Sequence, residues 1–521
     1  MFNFKSMFKL AAAAAAAFVI ASCSGNKAVL ATADNMVPGD AVFAIKVNAD
    51  QIWNKALGEQ GYMVRNAWNA SKGMLAMQTA EFGEMGEVAR QILNDPAALG
   101  VDLTQGVVVS VGGEITDIYA EEGVAQVYVV AMLDNSEAFL KVADAAVAVA
   151  NAEGGLSAYK DVEESGYTHY VIMSEDGISM DLGVSAESAV FRFMYNETVD
   201  AAALAQSLTA AFVQESAATE GLKAFHENNK DFVMWGDFEG VMTAYLPFIE
   251  SLDPATASQL QTYMPMYEGG SFVSDLNFEA GKTVIGLHSY GSKELEAYVQ
   301  KYNTASSDKF FSKLPESSFV VVNVAIKNFA GLVEELRTMS PEYAEVFAEL
   351  EAYGMDKEFF EGFPGIVTLA VDAKGLGETD LPGFAVFAEC EENVYELAKS
   401  AVGAEFEAYA RLGYEDGYMY LVDPQTYAKG VASGFDKNEL ASAIKKGGAV
   451  IDFAAFPEFI LDELAYETDL GLSGQELLEY ISSVVIVHSS DFTSATVTVN
   501  MGDKQHNFLE KVVLEAVMSA F

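Results

Sequence analysis

Five histidines, His169, His226, His288, His488 and His506, are the side chains with the widest chemical scope, and none lies within four residues of another. A locally built zinc centre needs paired ligands at short spacing, as in His-Glu-x-x-His on one helix face, so that chemistry is excluded. His169, His288 and His488 sit in the strand-like runs Thr-His-Tyr-Val-Ile, Gly-Leu-His-Ser-Tyr and Ile-Val-His-Ser-Ser, and read as hydrogen-bonded sheet residues rather than ligands. No Gly-x-Ser-x-Gly elbow presents a nucleophile; Ser473 in Gly471-Leu472-Ser473-Gly474 has the wrong spacing and reads as a helix cap. No Gly-x-x-x-x-Gly-Lys-Ser/Thr loop cradles phosphate, and Lys374-Gly375-Leu376-Gly377 leads into no helix. No segment has the alternating oxygen donors, glycine and terminal glutamate of an EF-hand calcium loop. The 76 Asp and Glu offer so many carboxylate pairs that adjacency singles out none for glycoside hydrolysis. No cofactor and no catalytic residue is therefore assigned, and a non-enzymatic binding or scaffolding protein is expected. The alternative is a carbohydrate-active or other hydrolase whose site is built from scattered carboxylates.

Two further features bear on partners. In Tyr263-Met264-Pro265-Met266-Tyr267 a proline interrupts a helical run and exposes Tyr263 and Tyr267 as an aromatic patch suited to a glycan or a protein. Charge sets the other limit: 30 Lys+Arg against 76 Asp+Glu give a net −46, and Lys445-Lys446 is the only adjacent basic pair. Such a surface repels nucleic acid and anionic headgroups.

The N-terminus carries an address. Lys5 and Lys9 precede an alanine-rich apolar stretch, Leu10 to Ala21, which is too short to span a hydrocarbon core of about 30 Å and ends in Ile20-Ala21-Ser22-Cys23. This is the pattern of a secretory signal over residues 1–22. Ile-Ala-Ser-Cys resembles the lipobox of bacterial lipoproteins, and that resemblance implies that Cys23 takes the lipid and anchors the mature chain to a membrane. The second cysteine, Cys390, ends the apolar run Phe384 to Glu389 and reads as a buried small hydrophobe. With no disulfide available, the exported body must hold together by core burial, for which 51% hydrophobic residues suffice.

The elements that would position any site repeat along the chain. Val37-Pro38-Gly39-Asp40-Ala41 opens a strand and a helix, as does Leu314-Pro315-Glu316-Ser317-Ser318 later. Strands at 106–112 and 125–133, a helix at 137–150 and a strand at 168–174 are matched by strands at 365–372 and 383–390, a helix at 393–402 and a strand at 417–422. The expected class is α+β, with two homologous halves that each hold a β-α-β-β-α-β, ferredoxin-like antiparallel sheet. Each half closes with a strand-helix-hairpin-helix extension. The expected divisions are a lipidated tether at 23–36, a first half at 37–303, a polar linker at 304–314 and a second half at 315–521. Cys23, Pro38, Asp40, Ala41 and Val42 together resemble an uncharacterised family of roughly 500-residue lipoproteins of Bacteroidota, which implies a duplicated α+β body and brings no activity. In that group, acidic residues directly after the lipidated cysteine accompany display on the cell surface. Here Ser24-Gly25-Asn26-Lys27 follows, so the resemblance implies an outer-membrane anchor facing the periplasm, with the cell surface as the alternative.

Overall fold

A computed structural model describes residues 30–57, 66, 69, 72, 90, 99–112, 126–153, 156–161, 167–174, 178–195, 201–213, 219–339, 341–352, 354–363, 365–372, 382–401, 409–424, 434–467 and 472–519. Cys23 lies outside these residues. The molecule mixes helices with antiparallel sheet, and its contacts divide it into two compact units: unit 1 runs to Asn277 and includes Leu509–Phe521, and unit 2 spans Phe278–Phe508.

In unit 1, β1 (Ala41–Val47) leads to α1 (Ala49–Leu57), and β2 (Val107–Gly112) and β3 (Gln126–Met132) follow, then α2 (Ser136–Glu153). Next come β4 (Leu156–Asp161), β5 (Thr168–Ser174), β6 (Ile178–Val184), β7 (Ser188–Tyr195), α3 (Ala201–Val213) and α4 (Glu220–Glu227). The unit ends with β8 (Phe232–Asp237), α5 (Phe238–Leu252), α6 (Pro254–Tyr267) and β9 (Ser271–Glu279). Every neighbour is antiparallel, in the order β9-β8-β1-β2-β3-β7-β6-β5-β4. Side chains alternate between faces, so the β-branched runs supply two apolar surfaces. Ala131, Tyr170, Met180 and Phe191 pack against Phe139, Leu140 and Ala143 of α2. The opposite face, with Tyr128 and Arg192, lies under α3, where the Tyr128 and Phe212 rings meet edge-on at 6.0 Å.

Unit 2 begins with β10 (Lys282–Tyr290) and α7 (Lys293–Tyr302), then β11 (Ser318–Ala325), α8 (Phe329–Met339), α9 (Pro341–Ala352) and α10 (Lys357–Glu361). It continues with β12 (Ile366–Asp372), β13 (Gly383–Glu389), α11 (Glu392–Ala401), β14 (Arg411–Glu415) and β15 (Tyr418–Val422). β16 (Gly448–Asp452), α12 (Glu458–Glu467), α13 (Gly474–Tyr480), β17 (Ser483–His488) and β18 (Ser494–Asn500) complete it, and α14 (Phe508–Ser519) returns the chain to unit 1. The strand order is β10-β18-β17-β16-β11-β12-β13-β15-β14, again all antiparallel. The capping box at Ser473 and Glu476 forms as expected, with each side chain bonded to the other residue's backbone N–H. Asp253 caps α6 by accepting from the Thr256 backbone N–H.

Three expectations need correction. The split ferredoxin-like arrangement inserts its third strand between the first two, whereas β2 lies between β1 and β3, and β12 between β11 and β13. A helix between strands obliges a crossover only when the strands run parallel; here the pair is antiparallel, so the chain returns beside the strand it left. Residues 304–314 are not a polar linker, because Phe310, Phe311 and Leu314 are 0% exposed in the unit 2 core, and the compact units part at Asn277 and Phe278 instead. Nor is 23–36 wholly a free tether: Leu30, Ala31 and Met36 are buried, and the Ala31 backbone N–H donates to Ser188 Oγ at 3.1 Å.

Candidate functional site

The densest polar constellation lies on the α3-covered face of the unit 1 sheet and crosses four neighbouring strands. Tyr128 on β3 stands opposite Arg192 on β7 and Arg192 opposite Asp181 on β6; on β5 Val171 is opposite Asp181, and His169, one position along the same face, reaches Asp181 diagonally. Arg192 Nε and Nη2 donate to the two Asp181 oxygens at 3.0 and 2.8 Å, Nη1 donates to Ser207 Oγ at 2.8 Å, and Nη2 reaches the Leu204 carbonyl at 2.9 Å. His169 Nε2 meets Asp181 Oδ2 at 3.0 Å. Arg192, Asp181 and His169 are each 1% exposed. Burial, with the Asp40 charge adding to it, pushes the Tyr128 phenol up to about 12. This row has the residue types of an active site, but Arg192 and Asp181 spend their bonds on one another and on α3, and only His169 Nδ1, buried, is left without a partner. Its geometry is that of a satisfied buried ion pair.

A second cluster gathers at one end of β1. Lys46, buried, donates to the His226 carbonyl at 2.8 Å, and its ammonium lies 5.7 Å from the Phe225 ring centroid. Burial lowers the Lys46 amine to about 8. His226 is lowered to about 4, by burial first and then by the Lys46 charge. Both His226 ring nitrogens are buried without a partner. Close by, Lys55 Nζ bridges both oxygens of the buried Asp231 at 2.8 and 2.7 Å and Asn277 Oδ1 at 2.7 Å.

Unit 2 presents a surface instead of a cluster. Ile285, Val497, Ile486, Ala449, Val322 and Leu369 stand opposite one another on six adjacent strands, β10 to β12 in sheet order. The face behind them is the core, where Val321, Val450, Val485 and Ala370 pack under the turns at Phe311–Lys313, Phe435–Lys437 and Glu439–Ile444. Among the described residues the row is partly open: Leu369 is 37% and Ile486 41% exposed, Leu287, two residues along β10, is 48% exposed, and the other four are half-buried. Helices α8, α10 and α11 cover, among the described residues, the far end, against Leu412, Tyr414 and Met419. An antiparallel sheet with one face in the core ordinarily turns polar residues to solvent on the other. This one turns valine, isoleucine and leucine.

The residues singled out from sequence fare differently. Helix α6 runs through Pro265 to Tyr267 without breaking, and Tyr267 is half-buried, its ring 5.4 Å from that of Phe238. The expected exposed patch is therefore corrected for Tyr267; the Tyr263 side chain lies outside the described residues. Cys390 is a buried free thiol, pushed up by burial. His488 stacks on Phe492 at 4.1 Å and its Nδ1 donates to the Ser489 carbonyl at 3.1 Å, while His506 pairs with Asp503 at 2.8 Å. Among the described residues no group of three His, Cys, Asp or Glu side chains could hold a metal ion, and no helix is long and apolar enough to cross a membrane. Sequence reasoning missed Arg192 and Lys46, whose signal is a lone cation inside an apolar strand, Val-Phe-Arg-Phe-Met and Phe-Ala-Ile-Lys-Val. Comparison of the chain with known protein families, with characterised proteins and with solved structures finds no match.

Proposed function

We propose that this chain is a cell-envelope lipoprotein, anchored through lipid on Cys23 at the outer membrane and facing the periplasm, which binds a protein partner through the open face of the unit 2 sheet. The observation that carries the binding reading is the apolar row from Ile285 to Leu369, six strands and about 25 Å across at the usual strand spacing. Valine, isoleucine and leucine on a sheet offer no hydrogen bonds to sugar hydroxyls, so a protein with an apolar contact surface fits it better than a glycan. The buried ion pair of unit 1 supports a non-catalytic body, because the Arg192 guanidinium and the Asp181 carboxylate are spent on each other.

We further infer that the two units are copies of one module. The order β9-β8-β1-β2-β3 in unit 1 recurs as β17-β16-β11-β12-β13 in unit 2. A register irregularity falls at the start of the first strand in both, between Ala41 and Phe43 and between Ser318 and Val320. Three residues on, each strand buries a polar side chain that donates to a carbonyl near the end of the helical segment leading into the neighbouring strand, Lys46 to His226 before β8 and Asn323 to Ile444 before β16. In this register β7, not β5, takes the place of β15.

Photo-crosslinking in intact cells tests the binding reading. A crosslinker at Leu369 or Ile486 should yield the same protein adduct, and one at Tyr466, which is exposed on α12, should not. Adducts of equal strength from Tyr466, or none from either sheet position, would reject it.

A further inference from the structure

The packed body of unit 1 begins at Leu30, seven residues after Cys23 and well inside the 23–36 segment expected to be a tether. Leu30 fills the space over Gly183 on β6, where an added Cβ would come within 2.6 Å of Leu30 Cδ1. Ala31 is held to Ser188 on β7, Asn35 Nδ2 donates to the Phe212 carbonyl at 3.1 Å, and the Gly39 N–H donates to the Ala211 carbonyl at 2.8 Å. Leu30, Ala31, Met36 and Val37 thereby complete the core between the β6–β7 hairpin and α3. Only seven residue steps separate Leu30 from Cys23, and a fully extended chain covers at most about 25 Å in that length.

We infer that the β6–β7 edge of unit 1 is the surface that faces the lipid bilayer, held within about 25 Å of the headgroups by the docked segment Leu30–Val37. This rests on the proposed lipidation of Cys23. The exposed Asp34 and Glu187 on this edge disfavour contact with anionic headgroups, so the tether sets the separation and the surface does not adhere. Strand β9 lies six strands away from β6 in sheet order, about 29 Å at the usual spacing.

Energy transfer measures this directly on the full-length lipidated protein in phosphatidylcholine vesicles carrying a headgroup-labelled acceptor. A donor dye is placed at Ala186→Cys, in the exposed β6–β7 turn, or at Glu268→Cys beside β9, while the buried Cys390 stays unlabelled. Transfer should be several-fold stronger from position 186. Equal or stronger transfer from position 268 on vesicle-bound protein overturns the inference and leaves the anchor standing. Inserting 20 Gly/Ser residues after Lys27 adds a mean span of about 25 Å and should weaken transfer from position 186. An unchanged signal would mean direct adhesion and also overturn it. If mass spectrometry finds no lipid on Cys23 and the protein does not float with vesicles, the anchoring reading fails and the inference with it.

Discussion

The Arg192–Asp181 pair allows a test in which two damaging substitutions are expected to cancel. Arg192→Met leaves the Asp181 carboxylate buried with His169 Nε2 as its remaining partner of the row, and Asp181→Leu leaves a buried guanidinium with neutral partners alone, Ser207 Oγ, the Leu204 carbonyl and the Tyr128 phenol. An uncompensated buried charge costs about 3–5 kcal/mol, so the two single variants together should lose about 6–10 kcal/mol. The double variant removes both charges and forfeits chiefly the His169 hydrogen bond, a loss of about 1–3 kcal/mol. The coupling should therefore be several kcal/mol. Trp53, Trp68 and Trp235 are the only tryptophans and all precede Asn277, so intrinsic tryptophan fluorescence during urea unfolding reports unit 1. With a slope of about 3 kcal/mol per molar urea, each single variant should move the midpoint down by roughly 1–1.7 M. Additive losses in the double variant, or a single variant costing under about 1 kcal/mol, would refute the reading of this row as a desolvated ion pair.

Other substitutions probe the remaining features. His226 between about pH 4 and 6.5, and Lys46 between about pH 8 and 10.5, bind fewer protons folded than unfolded, so unit 1 stability should climb with pH through each window. His226→Leu should flatten the lower climb and Lys46→Met the upper, followed by urea midpoints across pH. Phe311→Ala should cost about 3–5 kcal/mol in unit 2, where a true linker position would cost almost nothing; circular dichroism on thermal unfolding reads it. Phe492 holds φ at 60°, so Phe492→Gly should relieve about 1 kcal/mol of strain and lose a comparable stacking on His488, leaving the melting temperature nearly unchanged, whereas Phe492→Val should lower it clearly.

Much of the element order was legible because it rests on local pattern. Thr168–Ser174 and Ser271–Glu279 form strands as their alternation predicts, and Gly281 takes the positive φ, 74°, that the hairpin turn requires. Neighbours were not legible, because periodicity reveals a strand and not what pairs with it. Aligning the halves matched Thr168–Ser174 to Tyr418–Val422 and passed over β4, β6 and β7, among them the strand that carries Arg192. The polar run Ser306-Ser307-Asp308-Lys309 read as a linker for a related reason. Ser306 is buried and donates to Asn323 Oδ1 at 2.8 Å, a contact invisible without knowing that β11 passes beside it. The apolar row shows the same effect: Val-Val-Val-Asn-Val in β11 looks like a strand buried on both faces, and only the exposure of its neighbours Leu369 and Ile486 shows one face partly open among the described residues.

The equivalent polar position in the two proposed copies shows how one backbone need is met by different chemistry. Asn323 is saturated: its amide donates to the Ser307 and Ile444 carbonyls at 3.2 and 2.9 Å, and its oxygen accepts from Ser306 and Thr368 at 2.8 and 3.1 Å. Its opposite number on β12 is Thr368, where unit 1 has Val108 opposite Lys46. A short amide surrounded by hydroxyls fixes the helical turn to the sheet with neutral bonds and little desolvation cost. Lys46 makes the same link with a charge, beside a histidine whose ring nitrogens have no partner, and both groups are held away from their ordinary protonation ranges. The link between strand and turn is thus common to the two units, while its sensitivity to pH belongs to unit 1, the unit whose docked N-terminal segment leads to Cys23.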